Sequence, residues 1–222
     1  SAFEKCENLT IIPSQWRWVR IIEDEAFSDT GITKLPEDFS IIEKIGDLAF
    51  FSCKNLTELP EAIFVTPIEF GTGVFSHCPI REVKRWGVLK NIPNYFFENS
   101  KVERIPNDWG NIQEIGMGAF MSCHISDVPD NWGKIERIGV LAFNENNISH
   151  IPLREDPLKY GESFAFVDNP GYDDFLKYVK KLKREIPVVK WKRDFRGRYH
   201  FRDLQRAREE AEKAARENVY NT

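Results

Sequence analysis

The chain contains 222 residues, of which 41% are hydrophobic and 30% are charged, and its formal net charge at pH 7 is −4. This composition is too apolar for a disordered chain, and four cysteines are too few for a disulfide scaffold. No apolar run approaches the roughly 20 residues of a membrane-spanning helix, so the sequence predicts a globular protein.

The charges are distributed unevenly along the chain. Residues 177–222 contain 15 Lys or Arg and 7 Asp or Glu, which leaves 16 and 28 for residues 1–176. An acidic body followed by a basic C-terminal part predicts two different surfaces. The first ten residues lack the basic segment and apolar core of a secretory signal, so we expect a cytoplasmic protein, with a removed signal peptide as the alternative.

A phenylalanine recurs every 22 to 25 residues through most of the chain. The eight positions of this Phe column are Phe3, Phe27, Phe50, Phe75, Phe97, Phe120, Phe143 and Phe166. An Ile-Gly-x-x-Ala motif precedes several of them, as at Ile45–Ala49, and an apolar-x-x-apolar-Pro segment follows, as at Ile32–Pro36. A coil with two such brief strands buries its apolar side chains only by stacking on other coils, about 4.8 Å apart. The repeat therefore predicts a solenoid.

The repeat reads approximately Ile-Gly-x-x-Ala-Phe-x-x-Cys-x-x-Leu-x-x-Ile-x-x-Pro and resembles the BspA-like family over about residues 2–170. The resemblance implies a leucine-rich repeat solenoid of about eight 23-residue coils, built from short β-strands and turns. It also implies a non-catalytic scaffold without a defined partner, because a fold alone does not define a function. Residues 64–73 contain two extra residues, which predicts a local bulge, and residues 93–96 replace the glycine turn.

Residues 171–222 follow a different pattern from the solenoid of residues 1–170. Asp173 and Asp174 suit the start of a helix that runs to about Glu185, and its apolar stripe would cover the end of the core. Two short strands and a charged helix are predicted at Val188–Lys192, Tyr199–Phe201 and Leu204–Asn218. This part is predicted to be an α/β C-terminal cap with a basic helical tail.

All four cysteines lie three residues after a Phe of the column, where other coils have Thr30, Ser100, Asn146 and Asn169. This column of small polar side chains is predicted to be buried, with free, reduced thiols that suit a cytosolic protein. Metal binding is the alternative, since His77–Cys78 and Cys123–His124 are adjacent pairs. The two pairs would lie roughly 9–10 Å apart, too far for zinc–sulfur bonds of about 2.3 Å. We therefore expect no metal and no cofactor.

A second aromatic column consists of Trp16, Phe39, Phe64, Trp86, Trp109 and Trp132. These rings either pack between coils or present exposed faces to a partner, because Trp is favoured at recognition hot spots. Trp86, Trp109 and Trp132 are each followed by glycine, and the last two lie in polar turns, which keeps the recognition hypothesis open. We take these three as candidate partner-binding residues.

The Pro-terminated segments carry a column of polar side chains: Lys34, Glu58, Glu82, Arg104, Asp127 and His150. They would share one sheet face and are not needed in the core. A solvated face is one interpretation, since exposed charge pairs contribute little stability. The other is a partner-binding surface, for which Glu58, Glu82, Arg104, Asp127 and His150 are the candidates.

Catalysis is not expected. Asp127 and His150 would approach each other across one coil, but neither Ser126 nor Ser149 lies in the strained turn that nucleophilic serines commonly use. The sequence contains no phosphate-binding loop and no Gly-rich dinucleotide turn.

Residues 190–202 alternate cations with aromatic residues, a pattern that suits phosphate neutralisation and base stacking. The candidate nucleic-acid-binding residues are Lys190, Trp191, Lys192, Arg193, Arg196, Arg198 and Arg202. Alternatively, the aromatic side chains anchor the cap, or the tail binds an acidic protein surface. The leading hypothesis is a scaffold that binds a protein partner through the solenoid face, such as a microbial or viral effector that blocks a host protein. A nucleic-acid-associated protein and a surface adhesin are the alternatives.

Overall fold

The computed structural model describes residues 2–13, 16–153 and 162–181 of the chain. The described strands have two residues each: β1 (Ile21–Ile22), β2 (Lys44–Ile45), β3 (Glu69–Phe70), β4 (Asn91–Ile92), β5 (Glu114–Ile115) and β6 (Arg137–Ile138). The helices are a 3₁₀ helix at Glu61–Phe64, α1 (Glu162–Ala165) and α2 (Tyr172–Lys181). One strand per coil, stacked in parallel, is the arrangement of a solenoid.

The strands pair in register from coil to coil. Ile22 lies beside Ile45 in β2, and Ile92 lies beside Ile115 in β5. The glycine that follows β2, β3, β5 and β6 donates its N–H to the isoleucine carbonyl of the preceding coil, as from Gly139 to Ile115 at 2.7 Å. A Cβ on Gly139 would lie 2.4 Å from the backbone nitrogen of Met117. The glycine of the Ile-Gly motif is therefore required by the close approach of neighbouring backbones.

The Phe column forms a continuous stack through the core. Neighbouring rings lie 5.1–6.1 Å apart between centroids and are nearly parallel, with interplanar angles of 3–20°. All rings from Phe27 to Phe166 are buried. Stacked rings at this separation add to the free energy gained by burying aromatic area, so the Phe column both spaces and stabilises the coils.

The sheet is interrupted where the sequence departs from the repeat. β1–β3 form one three-stranded sheet and β4–β6 form another. Pro93 takes the place of the motif's glycine and has no N–H to donate to the carbonyl of Phe70, which is the bond that joins the other coils. The 3₁₀ helix at Glu61–Phe64 lies just before the segment with the two extra residues, and a cavity of about 420 Å³ opens beside β3. The coils still meet at both sides of the gap, where Gly73 donates to Asn94 at 2.9 Å and Val88 to Phe64 at 2.8 Å.

The Pro-terminated segments are not strands, which corrects the prediction of two strands per coil. In the described residues their pairing is limited to one isolated parallel bridge, between Glu82 and Arg104. Neighbouring segments are otherwise joined by single bonds, such as that from His124 N–H to the Val102 carbonyl at 2.9 Å. All of these segments except residues 80–84 end in a proline, which cannot extend a hydrogen-bonded ladder.

Helix α2 covers the C-terminal end of the Phe column. Its Phe175 side chain is buried, and the ring centroid lies 5.8 Å from that of Phe166. The predicted helix start at Asp173 and Asp174 agrees with α2, which runs from Tyr172 to Lys181. The strands and charged helix predicted between Val188 and Asn218 lie outside the described residues.

Candidate partner-binding surface

The Trp column faces the core. Trp86, Trp109 and Trp132 are 2%, 1% and 3% exposed. Their rings stack on one another at 5.9 and 5.7 Å, and Trp109 also meets Phe143 edge-on at 6.1 Å. Buried rings cannot offer a face to a partner, so the packing interpretation is correct and the three tryptophans are not part of the partner-binding surface.

The polar turns around these tryptophans have a local structural role. The Gly110 N–H donates to the Asp108 carboxylate at 2.7 Å, and the Gly133 N–H donates to the Asn131 side-chain oxygen at 2.8 Å. Both glycines have positive φ angles, of 54° and 56°. The polar residues thus close a tight turn, while the tryptophan beside them points inward.

One cavity is lined by three of the predicted partner-binding residues, Glu58, Glu82 and Arg104, which come from three successive coils. The cavity has a volume of about 350 Å³ and lies beside the 3₁₀ helix. Its apolar lining consists of Leu59, Pro60, Phe64 and Val83, and its charged lining also includes Glu61, Arg81, Lys84 and Arg85. The arrangement is an apolar floor surrounded by charges of both signs, which is typical of a small protein-recognition site.

Ion pairs between coils hold most of these charged groups. Arg104 Nε lies 3.5 Å from a Glu82 carboxylate oxygen, and Arg85 and Lys84 lie 2.5 and 3.9 Å from Glu61. Arg81 pairs with Glu103 at 3.4 Å. In the described part of the chain, Glu58 is the carboxylate of this cavity that has no cationic partner. The pairs are exposed and add little stability, so their main effect is to orient charge at the surface.

Asp127 and His150 lie further along the same column and are both exposed. The Ser126 hydroxyl donates to Asp127 at 2.6 Å, and among the described residues no hydrogen bond or ion pair joins Asp127 to His150. They therefore extend the charged surface without forming a pair of their own. Lys34 is exposed on an earlier coil of this column.

The cysteine column is hydrogen-bonded within the core. Cys53, Cys78 and Cys123 donate to the carbonyl of the preceding coil's Phe, at 3.2, 3.0 and 3.1 Å. Asn146 and Asn169 make the same bond at 2.7 Å in later coils. Cys6 differs, because it is exposed on the first described coil. The prediction of a buried small polar column is thus correct except at Cys6.

We expect one fast-reacting thiol in the native protein. Burial raises the pKa of Cys123 to about 12 and the pKa of Cys78 above its ordinary value, so both remain protonated at pH 7–9. A hydrogen bond with Cys78 lowers the pKa of Cys53, but the Cys53 side chain is fully buried, so all three thiols are shielded from a dye. A thiol-specific dye should therefore label Cys6 within minutes and all four cysteines only after denaturation without reductant. A Cys6→Ser protein should show no fast phase. Fast labelling of two or more thiols in the native state would contradict the buried column.

A polar cluster lies at the turn beside the Phe column. The buried Ser76 hydroxyl lies 2.8 Å from Nδ1 of His77 and donates to Glu98 at 3.2 Å. Burial lowers the pKa of His77 and raises that of Glu98. A nucleophilic triad needs an exposed serine and a carboxylate on the histidine, whereas here the serine is buried and holds the carboxylate itself. We therefore assign this cluster a structural role.

Two further features bear on the kind of site. Within residues 2–13, 16–153 and 162–181, no group of three or more His, Cys, Asp or Glu side chains is arranged to hold a metal ion. No helix in the same ranges is long and apolar enough to cross a membrane. The candidate nucleic-acid residues between 190 and 202 lie outside the described part, so that hypothesis stays a prediction.

Parallel coils of 22 to 25 residues, each with a short strand and an apolar interior, define the class of leucine-rich repeat solenoids. The family model for the BspA type leucine rich repeat region matches six copies, over residues 1–103 and 90–175. The chain belongs to this family, as the sequence resemblance implies. No curated protein and no solved structure gave a significant match.

Proposed function

We propose that the protein is a non-catalytic scaffold that binds a protein partner over the cavity lined by Glu58, Glu82 and Arg104. The observation that carries the proposal is the convergence of these three charged side chains, from three coils, around one apolar-floored cavity. Repeats of this family commonly mediate protein–protein interaction. The partner would place an apolar side chain against the partly exposed Leu59 and a cation near Glu58.

The fold supports such a role energetically. Side chains on a stacked core are held at fixed spacing, so binding orders few additional groups and loses little conformational entropy. The paired charges steer the approach and define the register of the complex, and the apolar floor supplies contact area. Asp127 and His150 would lengthen the contact along the column. A partner held in this way would be blocked on the bound face, which is how an effector or inhibitor acts.

A charge-swap pair tests the surface while keeping its ion pair. Glu82→Arg combined with Arg104→Glu retains a pair between the same coils and reverses the charge at each position. Lys44→Glu combined with Glu69→Lys is the matched control on β2 and β3, where Lys44 lies 3.6 Å from Glu69. Partners captured from lysate by the wild type would be identified by mass spectrometry, purified, and titrated against each variant.

The Kd of the Glu82→Arg, Arg104→Glu variant for the partner is expected to rise at least about tenfold, because like charges then meet across the contact. The control variant should bind as the wild type does. Equal binding by both variants would refute the proposed surface. A third protein with Arg193, Arg196 and Arg198 changed to serine separates the alternative, since loss of the partner there alone would move recognition to the basic tail.

A further inference from the structure

The gap in the sheet between β3 and β4 has unpaired backbone groups on both of its edges. In the other pairs of neighbouring strands, two carbonyls of one coil accept N–H groups of the next, as the Ile92 carbonyl accepts from Gly116 at 2.8 Å. In the described part of the chain, the corresponding carbonyls of Ile68 and Phe70 accept no hydrogen bond, and the N–H of Asn91 in β4 donates none. Free backbone groups of this kind on a sheet are a template for another segment of chain.

Pro93 holds this gap open. It stands where the motif has glycine, and it has no N–H to complete the ladder. Its Cβ also separates the two coils, because a Cβ at the equivalent Gly71 or Gly139 would lie 2.4 Å from an atom of the neighbouring coil. Since β3 and β4 have two residues each, the gap is short, and it is a consequence of the amino-acid sequence.

The cavity of about 420 Å³ beside β3 lies at this gap, since Phe70, Asn91 and Pro93 are part of its lining. Its volume is within the roughly 300–1,000 Å³ of ligand-binding cavities. Most of the remaining lining is apolar and consists of Phe64, Pro67, Ile68, Val88 and Leu89. Val88 is 46% exposed, so this apolar surface is open to solvent. The gap therefore combines free backbone groups with room for an apolar side chain.

Two charged side chains line the cavity, and they differ in how they are paired. Glu69 forms an ion pair with Lys44, whose Nζ lies 3.6 Å from a carboxylate oxygen. Lys90 is exposed and forms no ion pair with any residue that the structure describes. A carboxylate on a bound molecule would pair with Lys90, whereas a cation there would be repelled. The charge of the cavity thus favours an acidic ligand.

We propose that the gap between β3 and β4 binds a short extended peptide segment in which an apolar residue lies next to an acidic one. Backbone N–H groups of the segment donate to the carbonyls of Ile68 and Phe70. The apolar side chain packs against Val88, and the carboxylate pairs with Lys90. In this mode of recognition, the backbone bonds supply affinity and the side-chain contacts supply sequence preference. A fatty acid fits less well, because it has no N–H to satisfy the two carbonyls.

Selection from a phage-displayed library of random peptides, carried out on the immobilised full chain, supplies the probe. Each round is first depleted on the Lys90→Glu protein, which keeps the basic tail and the other surfaces of the wild type. Peptides with an apolar residue beside Asp or Glu should be enriched, because both side chains have a place in the cavity. If no peptide were enriched on the wild type after this depletion, the proposal would be overturned.

Titration of the enriched peptide, labelled with a fluorophore and followed by anisotropy, then tests the gap itself. Pro93→Gly supplies the missing N–H to the Phe70 carbonyl and removes the Cβ, so the gap should close and the peptide Kd should rise at least about tenfold. Pro106→Gly is the matched control, and Lys101→Glu repeats the charge change at an exposed lysine outside the cavity. Both controls should bind as the wild type does. A folded Pro93→Gly protein with wild-type affinity, or equal losses in a control, would contradict the site.

Nuclear magnetic resonance of the wild type maps the peptide without any substitution. Backbone amide peaks that shift on binding should belong to residues 64–70 and 88–93, and shifts confined to other residues would overturn the proposal. The Glu82→Arg, Arg104→Glu variant should bind the peptide normally, since neither residue lines this cavity. Loss of the peptide there would place it on the partner-binding surface instead and refute the site at the gap. The peptide site and the partner-binding surface can thus each fail without the other.

Discussion

Replacing Trp109 with alanine is expected to lower the free energy of unfolding by about 3–5 kcal/mol. Trp109 is among the largest fully buried side chains, packed between Trp86 and Trp132 on the neighbouring coils. Its removal would leave a cavity that rigid, hydrogen-bonded coils cannot collapse to fill. Chemical denaturation followed by circular dichroism measures the loss. Trp18→Ala is the matched control, because Trp18 is 93% exposed, and it should change stability by less than about 0.5 kcal/mol.

A second substitution separates packing from hydrogen bonding in the same column. The indole N–H of Trp109 is buried and has no hydrogen-bond partner in the described structure, whereas that of Trp132 donates to the Pro152 carbonyl at 3.1 Å. Trp132→Phe removes a satisfied bond and should cost more than Trp109→Phe, which removes an unsatisfied donor. Equal stability of Trp109→Ala and Trp18→Ala would contradict the buried column.

The solenoid could be predicted from the sequence because the spacing of its most regular residues equals the length of one coil. Phe27, Phe50 and the glycines after the strands recur at fixed spacing, and each has one structural reason to be there. A ring stack tolerates only rings of similar size, and the close approach at Gly139 tolerates only glycine. Columns under such strict constraint remain visible in a single sequence.

The orientation of the Trp column could not be predicted, because its neighbours in sequence are polar. Asp108 and Asn131 suggested an exposed turn around each ring. Both side chains instead bond to the glycine N–H two residues later, and the turn that they close directs the intervening tryptophan inward. The polar residues therefore indicate a tight backbone turn, and they do not indicate whether the tryptophan ring is buried or exposed.

The backbone conformation around each Phe of the column could not be predicted from the sequence either. The residues two before and two after each Phe of the column from Phe27 to Phe143 are left-handed, as at Leu48 and Ser52 around Phe50. Glycine occupies the position two before the Phe at Gly73 and Gly118, but glutamate, leucine or tyrosine occupies it in the other coils from Phe27 to Phe143. Each non-glycine residue there stores backbone strain of order 1–3 kcal/mol, which the stacked core must offset. Propensity alone would not assign these residues to a left-handed turn.

The interrupted sheet shows how one residue changes a repeat. The sequence indicated a bulge from the two extra residues between Phe64 and Gly73. The structure adds Pro93, whose missing N–H ends the ladder between β3 and β4. Two of the predicted partner-binding residues, Glu58 and Glu82, line the other cavity next to Phe64, which has a volume of about 350 Å³. The irregular coil thus opens a cavity on each side, and it is here that the stack departs most from a uniform surface.

Replacing Asn146 with alanine is the other change from which we expect a large loss of stability, of about 2–5 kcal/mol. Its amide group donates to the Phe120 carbonyl at 2.7 Å and its oxygen accepts from the Ile125 N–H at 3.0 Å. Alanine would leave both buried groups without these bonds. Asn146 also donates to the Phe143 carbonyl at 3.0 Å, but Asn169 donates to the same carbonyl at 2.7 Å and would keep it hydrogen-bonded. Denaturation midpoints measure the effect, with the exposed Asn147→Ala as control.

Comparing Asn146→Cys with Asn146→Ala shows how much of the loss of stability comes from each hydrogen bond. Cysteine at the equivalent position of other coils still reaches the Phe carbonyl of the preceding coil, as Cys123 does at 3.1 Å. Asn146→Cys should therefore keep one of the two bonds and cost about half as much as Asn146→Ala. If alanine and cysteine were equally destabilising, the loss would come from the Ile125 N–H, whose bond neither residue restores, and not from the Phe120 carbonyl. The order alanine, cysteine, asparagine in rising stability would instead mean that this column stabilises the coils by hydrogen bonding from one coil to the next.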